Sequence, residues 1–148
     1  MKVNECIFCQ IVDGKLPASK VYEDDKCMVL MDLFPIKQGH MLIIPKQHGQ
    51  YLNDHSPEIQ AHLVQVSARV IDAGKRAGVI KQDCNFLLND GKVANQHVPH
   101  VHFHILPREK GDFFTLISGV VLRMKNYFGQ EARRKRLDQI AQRVAAEM

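Results

Sequence analysis

Between positions 100 and 106 the chain reads His-Val-His-Phe-His-Ile-Leu, so that histidines alternate with apolar residues. Imidazole is the side chain that can act near neutral pH as nucleophile, as general acid or base, and as metal ligand. Successive side chains of an extended strand face opposite sides. As a strand, this segment places His100, His102 and His104 on one face and turns Val101, Phe103 and Ile105 into a core. A half-buried strand with an ordinary polar face would more commonly carry Thr, Lys or Glu. A face of imidazoles points instead to the floor of an active site.

Other segments carry chemistry that could converge on that floor. The loop before it, Asn89-Asp90-Gly91-Lys92-Val93-Ala94-Asn95-Gln96-His97, is rich in small and polar residues. Such a loop can be a plain connection, or it can present backbone N–H groups and side-chain amides to phosphate oxygens. His40, in Gly39-His40-Met41-Leu42-Ile43-Ile44-Pro45, starts an apolar run and could supply a further imidazole; alone it would read as structural. Cys6 and Cys9 have the Cys-x-x-Cys spacing of a zinc knuckle, and no second such pair follows. Any remaining ligands must be histidines, for which His48 and His100 are the best candidates. His55 and His62 read as solvent-facing. Cys27 and Cys84 lie in apolar segments and read as small core residues. A thioredoxin-like role for the pair is disfavoured, because no βαβ pattern surrounds it.

The elements that must position these residues can be outlined. Lys20 to Glu23 and Cys27 to Leu33 read as strands joined by Asp24-Asp25, and Phe34-Pro35 ends the second. Gly39 to Ile44 is the next strand. Ser56 and Pro57 open a long helix running to about Ala77, with the apolar stripe Ile59, Leu63, Val66, Val70, Ala73 and Ala77, and Gly78 after it. Cys84 to Leu88 is a strand, Asn89-Asp90-Gly91 a turn, and Val98 to Leu106 the histidine strand, ended by Pro107. Asp112 to Met148 reads as largely helical, with a break near Asn126 to Gln130. The expected fold is α+β: an antiparallel sheet, one long helix and a helical tail. Residues 1–148 read as one domain, of which 113–148 form the tail.

Composition narrows the classes. The 148 residues suit one domain with a full core, and the 45% hydrophobic fraction is ordinary. No apolar run approaches the roughly 20 residues that span a bilayer. The opening Met1-Lys2-Val3-Asn4-Glu5-Cys6 lacks the apolar stretch of a signal peptide, so a cytoplasmic location is expected. The formal net charge of +4 is modest. The dense run Arg133-Arg134-Lys135-Arg136 precedes Leu137, Ile140 and Val144 at helical spacing, and reads as a solvated helix face. No nucleic-acid partner is expected.

Taken together, the segments resemble one family. His-Val-His-Phe-His-Ile-Leu at 100–106 is similar to the signature of the histidine triad (HIT) nucleotide-binding proteins. Gly39 to Lys46 resembles their Gly-His-apolar-Leu-x-x-Pro-Lys strand, Asn89-Asp90-Gly91 and Gln96 their phosphate loop, and Asp32 the acidic residue near the ribose. Pro107-Arg108 and Gly111-Asp112-Phe113 resemble the fragile-histidine-triad hydrolase branch, and the Cys-x-x-Cys start the zinc-bearing microbial members. The start also resembles the zinc site of galactose-1-phosphate uridylyltransferases, which favours structural zinc on Cys6, Cys9, His48 and His100.

The resemblance implies a homodimer and a purine nucleotide substrate. It implies attack on an α-phosphorus, in nucleoside phosphoramidates or dinucleoside polyphosphates, through a nucleotidyl-histidine intermediate. His102 would be the nucleophile, with Asn89, Gln96 and His104 stabilising phosphoryl charge. His40 would orient the phosphate, His100 flank the nucleophile, and Asp32 accept from the ribose. Phe8, Ile11, Leu30 and Met31 would wall the base. His97 stands where many members place Ser or Thr, which puts it near the leaving group. The alternatives are a nucleotide sensor or partner module of negligible turnover, and a hydrolase using His-x-His-x-His directly as metal ligands.

Overall fold

The computed structural model describes residues 5–123 and 130–148. Its longest element is the helix with the clearest apolar period, α2 (Pro57–Arg76). Ser56 Oγ accepts from the Ile59 N–H at 3.4 Å, Pro57 occupies the first turn, and Lys75 and Arg76 lie at the negative end of the helix dipole. Leu63, Val66, Val70 and Ala73 form its buried stripe.

That stripe packs on a five-stranded sheet of β1 (Lys20–Glu23), β2 (Cys27–Met31), β3 (Met41–Pro45), β4 (Asp83–Leu88) and β5 (Phe103–Arg108). The spatial order is β1-β2-β3-β5-β4, and every pairing is antiparallel. With α1 (Ile7–Val12), α3 (Phe113–Arg123) and α4 (Gln130–Ala145), the architecture is the α+β fold expected. Among the described residues no helix is long and apolar enough to cross a membrane.

The central strands β2, β3 and β5 are covered on both faces. Val29, Met31, Met41, Ile43, Val101, Phe103 and Ile105 face α2 and α4, which contribute Leu63, Val66, Val70, Leu137, Ile140 and Val144. Met28, Leu30, Leu42 and Ile44 face the other way, toward Cys6, Phe8 and Cys9. This explains why β2 and β3 are apolar throughout, since a strand buried on both faces has no solvent side to alternate with.

The element boundaries depart from expectation for local reasons. β2 stops at Met31, not Leu33, because Asp32 Oδ1 accepts from the Phe34 N–H at 2.9 Å and turns the chain. β3 begins at Met41, two residues later than expected, after Gly39 at φ +86°. A Cβ there would also lie 2.7 Å from Val79 Cγ1, so only glycine fits. β5 begins at Phe103 rather than Val98 and runs through Pro107 to Arg108. At Pro107 it has outrun β3, whose last partner is Ile105, and only β4 remains alongside. The missing N–H can therefore face the open side. The six-residue α1 falls in a segment for which the sequence outline gives no element. The break expected near Asn126 to Gln130 falls largely on residues 124–129, and the opening Met1 to Asn4 likewise lies outside the described residues.

Candidate active site and metal centre

Although hydrogen-bonded pairing starts at Phe103, the alternation of the histidine segment holds. Val101, Phe103 and Ile105 are in the core beneath α2, and the histidines lie on the side of α1. Phe8, on α1, sets its ring edge-on against His100 and His102, at centroid distances of 5.7 and 5.2 Å. The three histidines nevertheless serve two different places.

His102 and His104 line a cavity of about 700 Å³, a size typical of small-molecule sites. His102 Nδ1 lies 2.7 Å from the carbonyl oxygen of His100. A carbonyl only accepts, so Nδ1 carries the proton and donates. The lone pair of the neutral ring is then on Nε2. His104 Nδ1 lies 3.0 Å from His40 Nε2, and His40 Nδ1 lies 3.2 Å from Asp32 Oδ2. Asp32, His40 and His104 thus form a buried chain that runs from a carboxylate to an imidazole on the cavity wall.

His100 turns into a second cluster. Its Nδ1 is 3.4 Å from Cys6 Sγ, 3.6 Å from Cys9 Sγ and 3.3 Å from His48 Nδ1, while Cys9 Sγ is 3.3 Å from His48 Nδ1. Zn–S bonds of about 2.3 Å and Zn–N bonds of about 2.0 Å in a tetrahedron require ligand atoms roughly 3.3–3.8 Å apart. The donor set therefore fits a zinc ion in both chemistry and spacing. His100 Nε2–H donates to the Pro45 carbonyl at 2.9 Å, which leaves Nδ1 as the ligating atom. Burial pushes the His100 pKa down to about 4, so the ring is neutral as a ligand must be. Burial, with the Cys6 thiol beside it, pushes the Cys9 thiol up to about 11. A cation is what would make thiolates favourable there. A bound zinc would cross-link α1 to the histidine segment, and four protein ligands leave no open position for reaction.

The remaining expected residues divide by position. Phe8, Ile11, Leu30, Met31, Asp32, Asn89 and His97 reach the cavity wall. His40 stands behind His104. Gln96 is buried with its amide engaged at both ends: Oε1 accepts from the Gly91 N–H at 3.0 Å and Nε2 donates to the Gln50 carbonyl at 2.7 Å. It braces the loop and is not among the residues that line the cavity.

Among the wall residues that sequence reasoning missed are Ser19, Asn95, Arg134 and Leu137. Asn95 has φ +64° and is the one non-glycine with positive φ among the described residues. Asparagine tolerates that conformation, so its place in a polar loop was a usable signal. Nothing local marks the other three.

Comparison with known proteins follows the same geometry. Residues 13–111 match the HIT domain family. An uncharacterised HIT-like protein of Mycobacterium tuberculosis is 38% identical over 118 residues, covering 80% of this chain and 81% of that protein. The adenosine 5'-monophosphoramidase hnt1 of Schizosaccharomyces pombe is 35% identical over 108 residues, covering 73% and 77%. The crystal structure of a zinc-bound histidine triad family protein from Mycobacterium smegmatis superposes with a TM-score of 0.74 at 31% identity, covering 98% and 99%. The alternating histidines, the sheet that carries them and the matched span agree, and the chain belongs to the histidine triad (HIT) family.

Proposed function

We propose that the protein is a nucleotide hydrolase or transferase that cleaves at the α-phosphorus of nucleoside phosphoramidates or dinucleoside polyphosphates, with His102 as nucleophile. The observation that carries this reading is the 2.7 Å hydrogen bond from His102 Nδ1–H to the His100 carbonyl. It fixes the tautomer, holds the ring and leaves the Nε2 lone pair for attack. Nε2 bonds to the α-phosphorus as the bond to the amine or polyphosphate breaks, and that leaving group takes up a proton. Water then displaces the imidazole from phosphorus, releasing the nucleoside monophosphate and restoring His102. Splitting one displacement into two lowers each barrier.

Charge that develops on the phosphoryl oxygens would meet Asn89 and the imidazole of His104, which is backed by His40 and Asp32. Gln96 acts from behind by fixing the loop. Phe8, Ile11, Leu30 and Met31 offer apolar area to a purine. Structural zinc on Cys6, Cys9, His48 and His100 would hold α1, and with it Phe8, against the histidine segment. The free cysteines suit a reducing compartment such as the cytoplasm. Two copies would pair through β4, an edge strand with Phe86 and Leu87 exposed, and through neighbouring α2.

The test is His102→Ala. Turnover should fall by about three orders of magnitude or more, while nucleotide affinity stays within a few fold. Rapid quench of the wild type with a labelled substrate should trap nucleotide on His102. Activity near wild type in His102→Ala would end the covalent reading.

A further inference from the structure

The cleft walls are mostly apolar and would accept the flat face of any base. Among their polar residues, two stand apart from the phosphate chemistry. Ser19 lies on the cleft wall and is 3% exposed, and its buried Oγ has no hydrogen-bond partner among the described residues. A hydroxyl buried without a partner is costly, so such groups mark places where a ligand completes the bonding. The second is Arg134. One of its terminal nitrogens donates to the Pro17 carbonyl at 2.9 Å, which tethers the guanidinium two residues from Ser19. The guanidinium's other N–H groups remain donors, and the side chain lines the cleft.

Arg134 is also rigidly mounted. It sits on α4, whose Leu137, Ile140, Ala141 and Val144 are buried in the core. Its neighbour Arg133 lies over the Phe34 ring, 5.5 Å from the centroid. Position 134 lies outside the span 13–111 that matches the HIT domain. The cleft is therefore finished by a residue beyond the matched span.

We propose that Ser19 and Arg134 read the nucleobase and select a 6-oxopurine, guanine or hypoxanthine, over adenine. This rests on the reading that a nucleotide occupies the cleft with its phosphate at His102. A guanidinium only donates. Guanine and hypoxanthine present two adjacent acceptors, O6 and N7, which an arginine fork can meet together. Adenine presents an N6 amino donor beside N7, and a donor facing a guanidinium goes unpaired. The Ser19 hydroxyl both donates and accepts and is held by no partner where it lies, so rotation about its Cα–Cβ bond can offer it to the edge that Arg134 leaves.

Isothermal titration of the wild-type chain with GMP, IMP and AMP tests this directly. GMP and IMP should each bind at least tenfold tighter than AMP. Arg134→Ala should weaken GMP about tenfold and leave AMP within twofold. Arg134→Gln, which carries one donor and one acceptor as adenine requires, should move the GMP-to-AMP ratio toward or below unity. Ser19→Ala should weaken GMP several fold. AMP binding as tightly as GMP in the wild type would overturn the proposal, as would an unchanged ratio in Arg134→Ala. Failure of all three nucleotides to bind would instead overturn the nucleotide cleft itself.

Discussion

At the scale of single residues, the site depends on which nitrogen carries which proton. The carbonyl of His100 sets the tautomer of His102, while the ring of the same residue faces the Cys/His cluster. One residue therefore serves both sites, through its backbone and its side chain. His97 differs in kind. It is exposed, follows Gln96 and lines the same cleft as His102 and His104. An imidazolium there can donate a proton to a leaving group or stabilise a polyphosphate, and a hydroxyl cannot do so by charge. His97→Ser should change the ratio of kcat/KM for a phosphoramidate to that for a dinucleoside polyphosphate by about tenfold, equivalent to about 1.4 kcal/mol. Measurement of both substrates from pH 5.5 to 8 checks this, and a constant ratio would mean that His97 plays no part. The histidine pair of the cleft was legible because a period of two is unmistakable. The inward role of Gln96 was not, because both its partners are backbone groups that only the folded loop supplies.

At the scale of elements, the short helix α1 has the largest effect for its size. With six residues it has little stability of its own, and its length is too short for an apolar period to register. Its Phe8 nevertheless touches two histidines, and Cys6 and Cys9, on either side of Phe8 in the chain, belong to the Cys/His cluster. The cluster was legible from cysteine spacing plus the histidines left over, whereas the helix that carries Cys9 was not. Elemental analysis should find about one zinc per chain, and Cys6→Ser should lose it. Freed from its cross-link, α1 would fray, and the melting temperature should drop by roughly 5 °C or more, about 2 kcal/mol for a chain of this length. KM should rise as Phe8 leaves the cleft. A metal-free wild type with the same melting temperature as Cys6→Ser would refute the centre. Strand boundaries were less legible, because β2 ends where the Asp32 carboxylate turns the chain and β5 continues past Pro107 alongside β4, neither set by where hydrophobicity stops.

At the scale of the whole molecule, the sheet has two edges that are treated differently. β1 is flanked by α4, whereas β4 leaves Phe86 and Leu87 at 38% and 45% exposure. An apolar edge strand left open invites pairing. If two copies meet there, sedimentation of the wild type should give a dimer, and Leu87→Lys should raise its dissociation constant at least tenfold. A monomeric wild type at micromolar concentration would exclude this pairing. The antiparallel α+β layout was legible from strand and helix patterns alone. The contribution of α4 to the cleft was not, since Arg134 and Pro17 are 117 positions apart and meet only through tertiary packing.

That long reach has a consequence in time. Cys6 and His100 are separated by 94 positions. At about 5–20 residues per second, a ribosome needs roughly 5–20 s to make the second after the first. Through that interval the nascent chain carries two thiols whose histidine partners are incomplete, and the cleft still lacks the wall that α4 supplies. Oxidants and stray soft metals have their best access to Cys6 and Cys9 then, before folding buries them. The vulnerable form of this protein is the one still being synthesised.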